Sequence, residues 1–271
     1  MTDAATAARD QPLIAIDVVP VSFTTAGGLR VATARRANAP YAGREALPGV
    51  LLDAAERLAD GARRALQTKT GIDAAAVRHL AQVGAFDGPE RDPRDAAVSI
   101  AFLAVVAPGP GGASDGARPG GPRSVAAHGT APADRSATDG SDPRLPTVAP
   151  TDRNPSDGGD PRLPADPRAV WHPLDGGDHG LPFDHDAIVR AARDQVRTRL
   201  WRDTALTRAL LGEVFTTSDA AQLHAALHGA PPDAGNLNRA LRTNPALVRT
   251  TAPAPTGARG GRPPATWTWT D

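Results

Sequence analysis

The stretch from Leu47 to Ile72, LPGVLLDAAERLADGARRALQTKTGI, constrains this chain more than any other. Leu47-Pro48-Gly49 is turn chemistry. From Ala54 onward apolar residues recur at helical spacing, at Ala55, Leu58, Ala62 and Leu66, and Thr70-Gly71 supplies a stop. The pattern predicts a loop opening into one helix that closes at a glycine. Upstream, LIAIDVVPVSF (13–23) reads as a buried strand, and Gly27-Gly28 turns the chain into a second strand, Leu29 to Ala34, ending at Arg35-Arg36. Downstream, His79 to Phe86 reads as a strand. VSIAFLAVV (98–106) carries no charge and reads as a central one.

With 271 residues the chain is long enough for two ordinary domains. Its 30 Lys and Arg balance 30 Asp and Glu, so any basic surface must be local. The absence of cysteine excludes disulfides and thiolate metal sites. The opening MTDAATAARDQP lacks a basic-then-apolar leader pattern, and no apolar run reaches membrane-spanning length. Cytoplasm is the expectation, with no membrane partner. From 108 to 168 Gly, Pro, Ser, Asp and Arg dominate, and the Asp-Pro-Arg-Leu-Pro of 142–146 recurs at 160–164. Such a segment buries too little apolar surface to offset ordering, so it reads as a disordered insertion. Between 108 and 170 seven arginines meet eight aspartates, which is not the charge of a DNA tether.

Order resumes at Ala169 to Leu174. Phe183-Asp184-His185 opens a helix, with Asp184 as its cap and Val189, Ala192, Val196 and Leu200 as its apolar stripe. His185 has no partners at metal-ligand spacing and reads as structural, and Arg190, Arg193 and Arg197 read as a solvated face. Further on, Thr204 to Leu211 reads as a short helix, Phe215 to Ser218 as a cap, and Ala220, Leu223 and Leu227 as the inner side of the next helix. Asp233 caps a third, Ala234 to Thr243. There Leu237, Ala240 and Leu241 face inward, leaving Asn236, Asn238, Arg239, Arg242 and Thr243 outside. A strand from Leu247 to Thr251, a loop with Arg259 and Arg262, and a strand with Trp267 and Trp269 on one face follow.

Helix, helix, capped helix and hairpin with an Arg-Gly loop make a winged helix-turn-helix. Arginine and asparagine on the third helix are the types that read guanine and adenine edges. Arg259 and Arg262 suit phosphates or a minor groove. From 233 to 271 five arginines face two aspartates, a local positive charge on a neutral chain. Winged helices also serve as protein–protein modules, so the motif alone does not decide.

The loop–helix–glycine pattern of 47–72 resembles the Nudix box, the diphosphate-binding motif of Nudix hydrolases. Phe86-Asp87, then Pro89, Arg91-Asp92-Pro93-Arg94, resembles a subgroup that recognises ADP-ribose. Together with the Phe-Asp-His helix and the winged helix, the chain resembles the Nudix-related transcriptional regulators of NAD metabolism (NrtR type) over 13–106 and 169–271. The resemblance implies an α+β fold. After a disordered 1–12 it places a Nudix-like α/β/α sandwich at 13–203, carrying the insertion, and a winged helix-turn-helix at 204–271. It implies a homodimeric repressor on a palindromic double-stranded DNA operator, with ADP-ribose or a related NAD-derived nucleotide as effector and no cofactor. Candidate effector-binding residues are Arg35, Arg36, Arg91, Arg94 and Lys69. Candidate DNA-binding residues are Asn236, Asn238, Arg239, Arg242, Thr243, Arg259 and Arg262. The alternative for Arg91 and Arg94 is a stiff turn in which they pair with Asp87, Asp92 or Asp95.

The box departs from the family's pattern. Its helix carries Arg-Glu-apolar-x-Glu-Glu, whose carboxylates hold magnesium. Here the positions are Arg64, Ala65, Leu66, Gln67, Thr68 and Lys69, and Val50 replaces the first glycine. Glu56 and Arg64 survive. Magnesium wants an octahedron of oxygens with fixed carboxylates, and diphosphate hydrolysis needs that metal to activate water. Lys69 repels a divalent ion and attracts phosphate. The reading is therefore a sensor with no catalytic or metal-binding residue. The competing readings are a Nudix hydrolase with displaced carboxylates, Glu56 among them, and a scaffold whose Asp-Pro-Arg repeats recruit a partner.

Overall fold

The computed structural model describes residues 11–88, 91–108, 168–175, 177–250 and 264–270. The expected insertion, the N-terminal residues and both loop arginines, Arg259 and Arg262, lie outside them.

Strand β1 (Leu13–Thr24) organises the larger sheet. It runs parallel to β6 (Ala97–Val106), from Leu13 opposite Ala97 to Val21 opposite Val105. It is antiparallel to β2 (Gly28–Arg35) and to the short β4 (Gly49–Leu51). β5 (Val77–Phe86) joins β6, and β3 (Glu45–Ala46) and β7 (Val170–Pro173) join β2, all antiparallel. Because side chains alternate along a strand, both faces of this apolar sheet need cover. Ile16, Val18, Phe102 and Ala104 pack against α1 (Leu58–Thr70). Val19, Val21, Leu103 and Val105 pack in one cluster with α2 (His185–Arg199), α3 (Thr204–Leu211) and α4 (Thr217–His228). The sheet is thus sandwiched between helices.

Helix α1 starts at Leu58, one turn after the apolar spacing begins at Ala54. Glu56 accepts a hydrogen bond from the Asp53 N–H at 3.1 Å, which closes a turn there, and Ala55 sits at φ 63°. Ala62, Ala65 and Leu66 are its buried apolar side chains, with Gly61 and Thr70 buried beside them, while Leu58 stays exposed. Burying Leu66 contributes about 1.5–3 kcal/mol. Gly71, at φ 69°, ends the helix by donating its N–H to the Gln67 carbonyl, a conformation that glycine adopts without steric cost.

In α2 the expected apolar stripe is buried. Asp184 stands at the cap position but makes no capping bond, because its carboxylate accepts from Arg91 instead. Arg193 is not solvated either. It donates to the Leu227 carbonyl at 2.8 Å, capping the end of α4.

Beyond α4 come α5 (Ala234–Thr243), β9 (Leu247–Thr250) and β10 (Thr266–Trp269). A strand unanticipated from sequence, β8 (Val214–Thr216), joins them in an antiparallel sheet ordered β8-β10-β9. Thr216 ends that strand and also caps α4 in a reciprocal box with Asp219. Phe215, Leu237, Leu241, Leu247, Trp267 and Trp269 belong to a third apolar cluster. Both indole N–H groups are satisfied, by Thr217 Oγ1 at 3.0 Å and the Gly212 carbonyl at 2.8 Å. Ala240, expected inside, is exposed. The inner stripe of α5 is Leu237 and Leu241 alone. Helix α4 serves two of the three clusters, with Leu223 and Leu227 packed beside α2 and α3 and Ala220 in the third. No helix among the described residues is long and apolar enough to cross a membrane.

Candidate effector site and nucleic-acid interface

The box helix positions Arg64 to close on Glu56. Its Nε donates to Oε1 at 2.8 Å and a terminal nitrogen to Oε2 at 2.7 Å, a bidentate pair, with further bonds to the Leu51 carbonyl and a contact to Asp53. These bonds hold the Glu56 pKa down at about 2. The one surviving box carboxylate is therefore occupied by a guanidinium. Thr68 turns its hydroxyl back to the Arg64 carbonyl, and Lys69 is exposed in the last turn. Among the described residues no group of three or more His, Cys, Asp or Glu side chains stands where it could hold a metal ion. The donor set of this box does not fit a magnesium cage.

A second charged cluster forms around Asp17, which projects from the apolar strand β1 and is 5% exposed. Oδ2 accepts from Arg91 and from Ser99, both at 2.7 Å. Arg91 also donates to Asp184 at 2.9 Å. Gly49 is required beside it, since a Cβ there would lie 2.2 Å from Asp17 Oδ1. His185 is buried next door, and its Nδ1 accepts the Leu47 N–H at 3.0 Å. Burial lowers its pKa, so the imidazole is neutral there.

The candidate effector residues separate on this geometry. Arg91, expected to clamp phosphate, is buried between two carboxylates. The reason lies far away in the chain: Asp17 on β1 needs a buried cation, and the loop before β6 delivers one. Arg94 takes a bidentate bond with Asp92 at 3.0 and 2.7 Å, the pairing left open by the sequence, yet stays 44% exposed. Arg36 is half-buried and near Arg94. Burial first, then the Arg94 charge, lower its pKa below the ordinary arginine value. Its guanidinium lies 4.8 Å over the Phe183 ring, and among the described residues no carboxylate is within ion-pair distance of it. Arg35 is exposed and donates to the Gly43 carbonyl, and Lys69 belongs to the box helix. The structure thus brings Arg36, Arg91 and Arg94 together around Asp17. Sequence reading missed Asp17, although a lone carboxylate inside an apolar strand is itself a signal.

On α5, Asn236, Arg239, Arg242 and Thr243 are exposed and Asn238 partly so. Asn238 donates back to the Ala234 carbonyl and Thr243 to the Arg239 carbonyl, so both are tied to their own helix. Arg249 on β9 is exposed too, a cation that the sequence reading did not single out.

No family model matches the sequence, and no curated protein matches it. Solved structures do match. The mixed sheet between helices is shared with a MutT/nudix family protein from Enterococcus faecalis, at TM-score 0.61 and 18% identity, over 97% of this chain and 88% of that one. NrtR from Shewanella oneidensis, solved in complex with a 27mer DNA, superposes at TM-score 0.62 and 19% identity over 95% and 93% of the two chains. A second crystal structure of the same protein gives 0.60 and 20% over 95% and 94%. The chain therefore shares its fold with these Nudix-family structures.

Proposed function

We propose that this protein is a sequence-specific DNA-binding regulator, a repressor, whose Nudix domain senses a nucleotide diphosphate without hydrolysing it. The observation that carries the reading is the exposed face of α5. Asn236, Arg239 and Arg242 stand in a three-helix, three-strand unit whose element order is that of a winged helix. Support comes from a fold shared over nearly the full length with a protein crystallised on DNA. In this reading α5 enters the major groove, Arg239, Arg242 and Asn236 contact bases or phosphates, and Arg249 contacts phosphate. A homodimer would present two such helices to half-sites roughly 34 Å apart. Arg36 and Arg94 bind the effector's phosphates, with Arg91 holding the loop beneath them. ADP-ribose is the first effector to test. The test of the DNA reading is fluorescence anisotropy on the DNA upstream of its own gene. Tight binding that weakens steeply with salt supports it, and binding no better than to scrambled DNA rejects it.

The second reading is a Nudix hydrolase with displaced carboxylates, which the shared fold with a MutT/nudix protein keeps in view. The Glu56–Arg64 pair speaks against it. Release of AMP from ADP-ribose with magnesium or manganese would establish it.

A further inference from the structure

Helix α2, which covers the larger sheet, meets α4, which also serves the smaller one, along a seam of four basic side chains. On α4, His224 and His228 stand one turn apart and stack, with ring centroids 4.2 Å apart and planes 21° from parallel. On α2, Arg193 and Arg197 are likewise one turn apart, and both oppose a proton on His228. Arg193 crosses the seam to donate to the Leu227 carbonyl at 2.8 Å, so a cation from α2 serves the negative end of α4. Arg193 Nε and His224 Nδ1 are buried without a hydrogen-bond partner. Arg197 is held by Asp194 at 3.1 Å, and Arg190, the next basic residue along α2, by Asp178. Among the described residues no carboxylate pairs with Arg193 or with either histidine. The charges acting on His228 all come from α2 and from His224. Strand β2, α5 and β8, which also pack on α4, add none among the described residues.

This seam suits neutral imidazoles and opposes charged ones. Burial first, then His224, Arg197 and Arg193, lower the His228 pKa below the ordinary histidine value. A proton on either ring adds a cation beside two arginines, with no carboxylate to receive it. It also competes with Arg193, because a histidinium in the last turn of α4 serves the same carbonyls. We propose that His224 and His228 form a pH-sensitive latch: while the rings are neutral Arg193 holds α4 against α2, and protonation displaces Arg193 and loosens the seam. With the folded pKa depressed, the folded state binds fewer protons than the unfolded one. The stabilisation is fully present above about pH 6.5 and is lost as the pH falls through the folded value. The latch is independent of which ligand the Nudix domain takes and of whether α5 binds DNA.

Thermal melts of the full chain at about pH 7.5 and about pH 5.5, for wild type and for the double variant His224→Gln with His228→Gln, test the latch. Hydrogen exchange at both pH values, corrected for the intrinsic rate, locates the change. We expect wild type to lose roughly 2–4 °C more of its melting temperature than the double variant on acidification. Its amides in 190–199 and 217–228 should exchange severalfold faster at the lower pH, while those of α1 should not. His185 is also neutral in the fold and titrates in the same direction, but it is present in both proteins, so the difference belongs to the pair. An equal loss in the two proteins, or a wild-type seam with unchanged protection, overturns the proposal. If the double variant does not fold, the single variant His228→Gln, at the exposed ring, takes its place. It should remove about half of the excess loss or more, and a loss equal to that of wild type overturns the latch.

Discussion

The Thr25 hydroxyl, in the turn between β1 and β2, donates to Asp219 Oδ1 in the first turn of α4 at 2.6 Å. The other oxygen of the same carboxylate accepts the Thr216 N–H at 2.7 Å, so one side chain both caps α4 and ties it to the sheet hairpin. If the effector binds as proposed, this contact is one route, beside the direct packing of α4 on β2, by which a shift of β2 would reach α4. We expect Thr25→Ala to leave DNA affinity within about threefold while reducing the response to effector. Asp219→Ala should also lose the cap and about 1 kcal/mol of stability. Anisotropy with and without ADP-ribose, alongside thermal melts, separates the two effects. An unaltered effector response in Thr25→Ala would remove the contact from the coupling route.

Arg242→Ala should weaken binding to operator DNA by at least about tenfold, on the order of 1–3 kcal/mol. Arg249→Ala, which removes a proposed phosphate contact, should weaken specific and scrambled DNA alike and lower the salt slope by about one unit. Unchanged affinity in Arg242→Ala would take that residue off the contact face.

Asp17 is the counter-charge of a buried arginine. Asp17→Ala should destabilise the fold by about 3–5 kcal/mol in urea titrations, because it leaves Arg91 buried without its closest carboxylate. Gly49→Ala should also destabilise, since its methyl would meet Asp17 Oδ1. A loss below about 1 kcal/mol for Asp17→Ala would show that water or Asp184 compensates.

Glu56 sets a pH dependence. Its folded pKa, about 2, lies below the ordinary 4.5, so the folded state binds fewer protons than the unfolded one in that interval. The stabilisation is fully present above about pH 4.5 and is lost as the pH falls toward about 2. Glu56→Gln should flatten this part of the stability curve, and an equal slope in the variant would mean that other carboxylates carry it.

Strong local patterns were legible in the sequence. The Gly71 stop, the α2 stripe and the inner faces of α4 needed only periodicity and a turn residue. What failed depended on partners far along the chain. Asp184 looked like a helix cap because nothing local reveals that Arg91 claims its carboxylate. Arg91 looked like a phosphate clamp because Asp17 lies in another strand. Ala240 was assigned inward by spacing alone, although a methyl group carries little burial signal. Strand β8 was hidden because its three residues double as the entry to α4. The approach of Arg193 to the His224–His228 pair was invisible because α2 and α4 meet only in the fold.

The most direct measurement is a titration of ADP-ribose into the preformed complex of the full chain with its operator, followed by anisotropy. Release of the DNA at ligand concentrations that saturate the free protein is the expected result, corresponding to a coupling of roughly 1–3 kcal/mol between the two sites. A complex that stays intact while the ligand demonstrably binds, or a ligand consumed by hydrolysis during the titration, would contradict the reading of this Nudix fold as a non-hydrolysing sensor coupled to DNA.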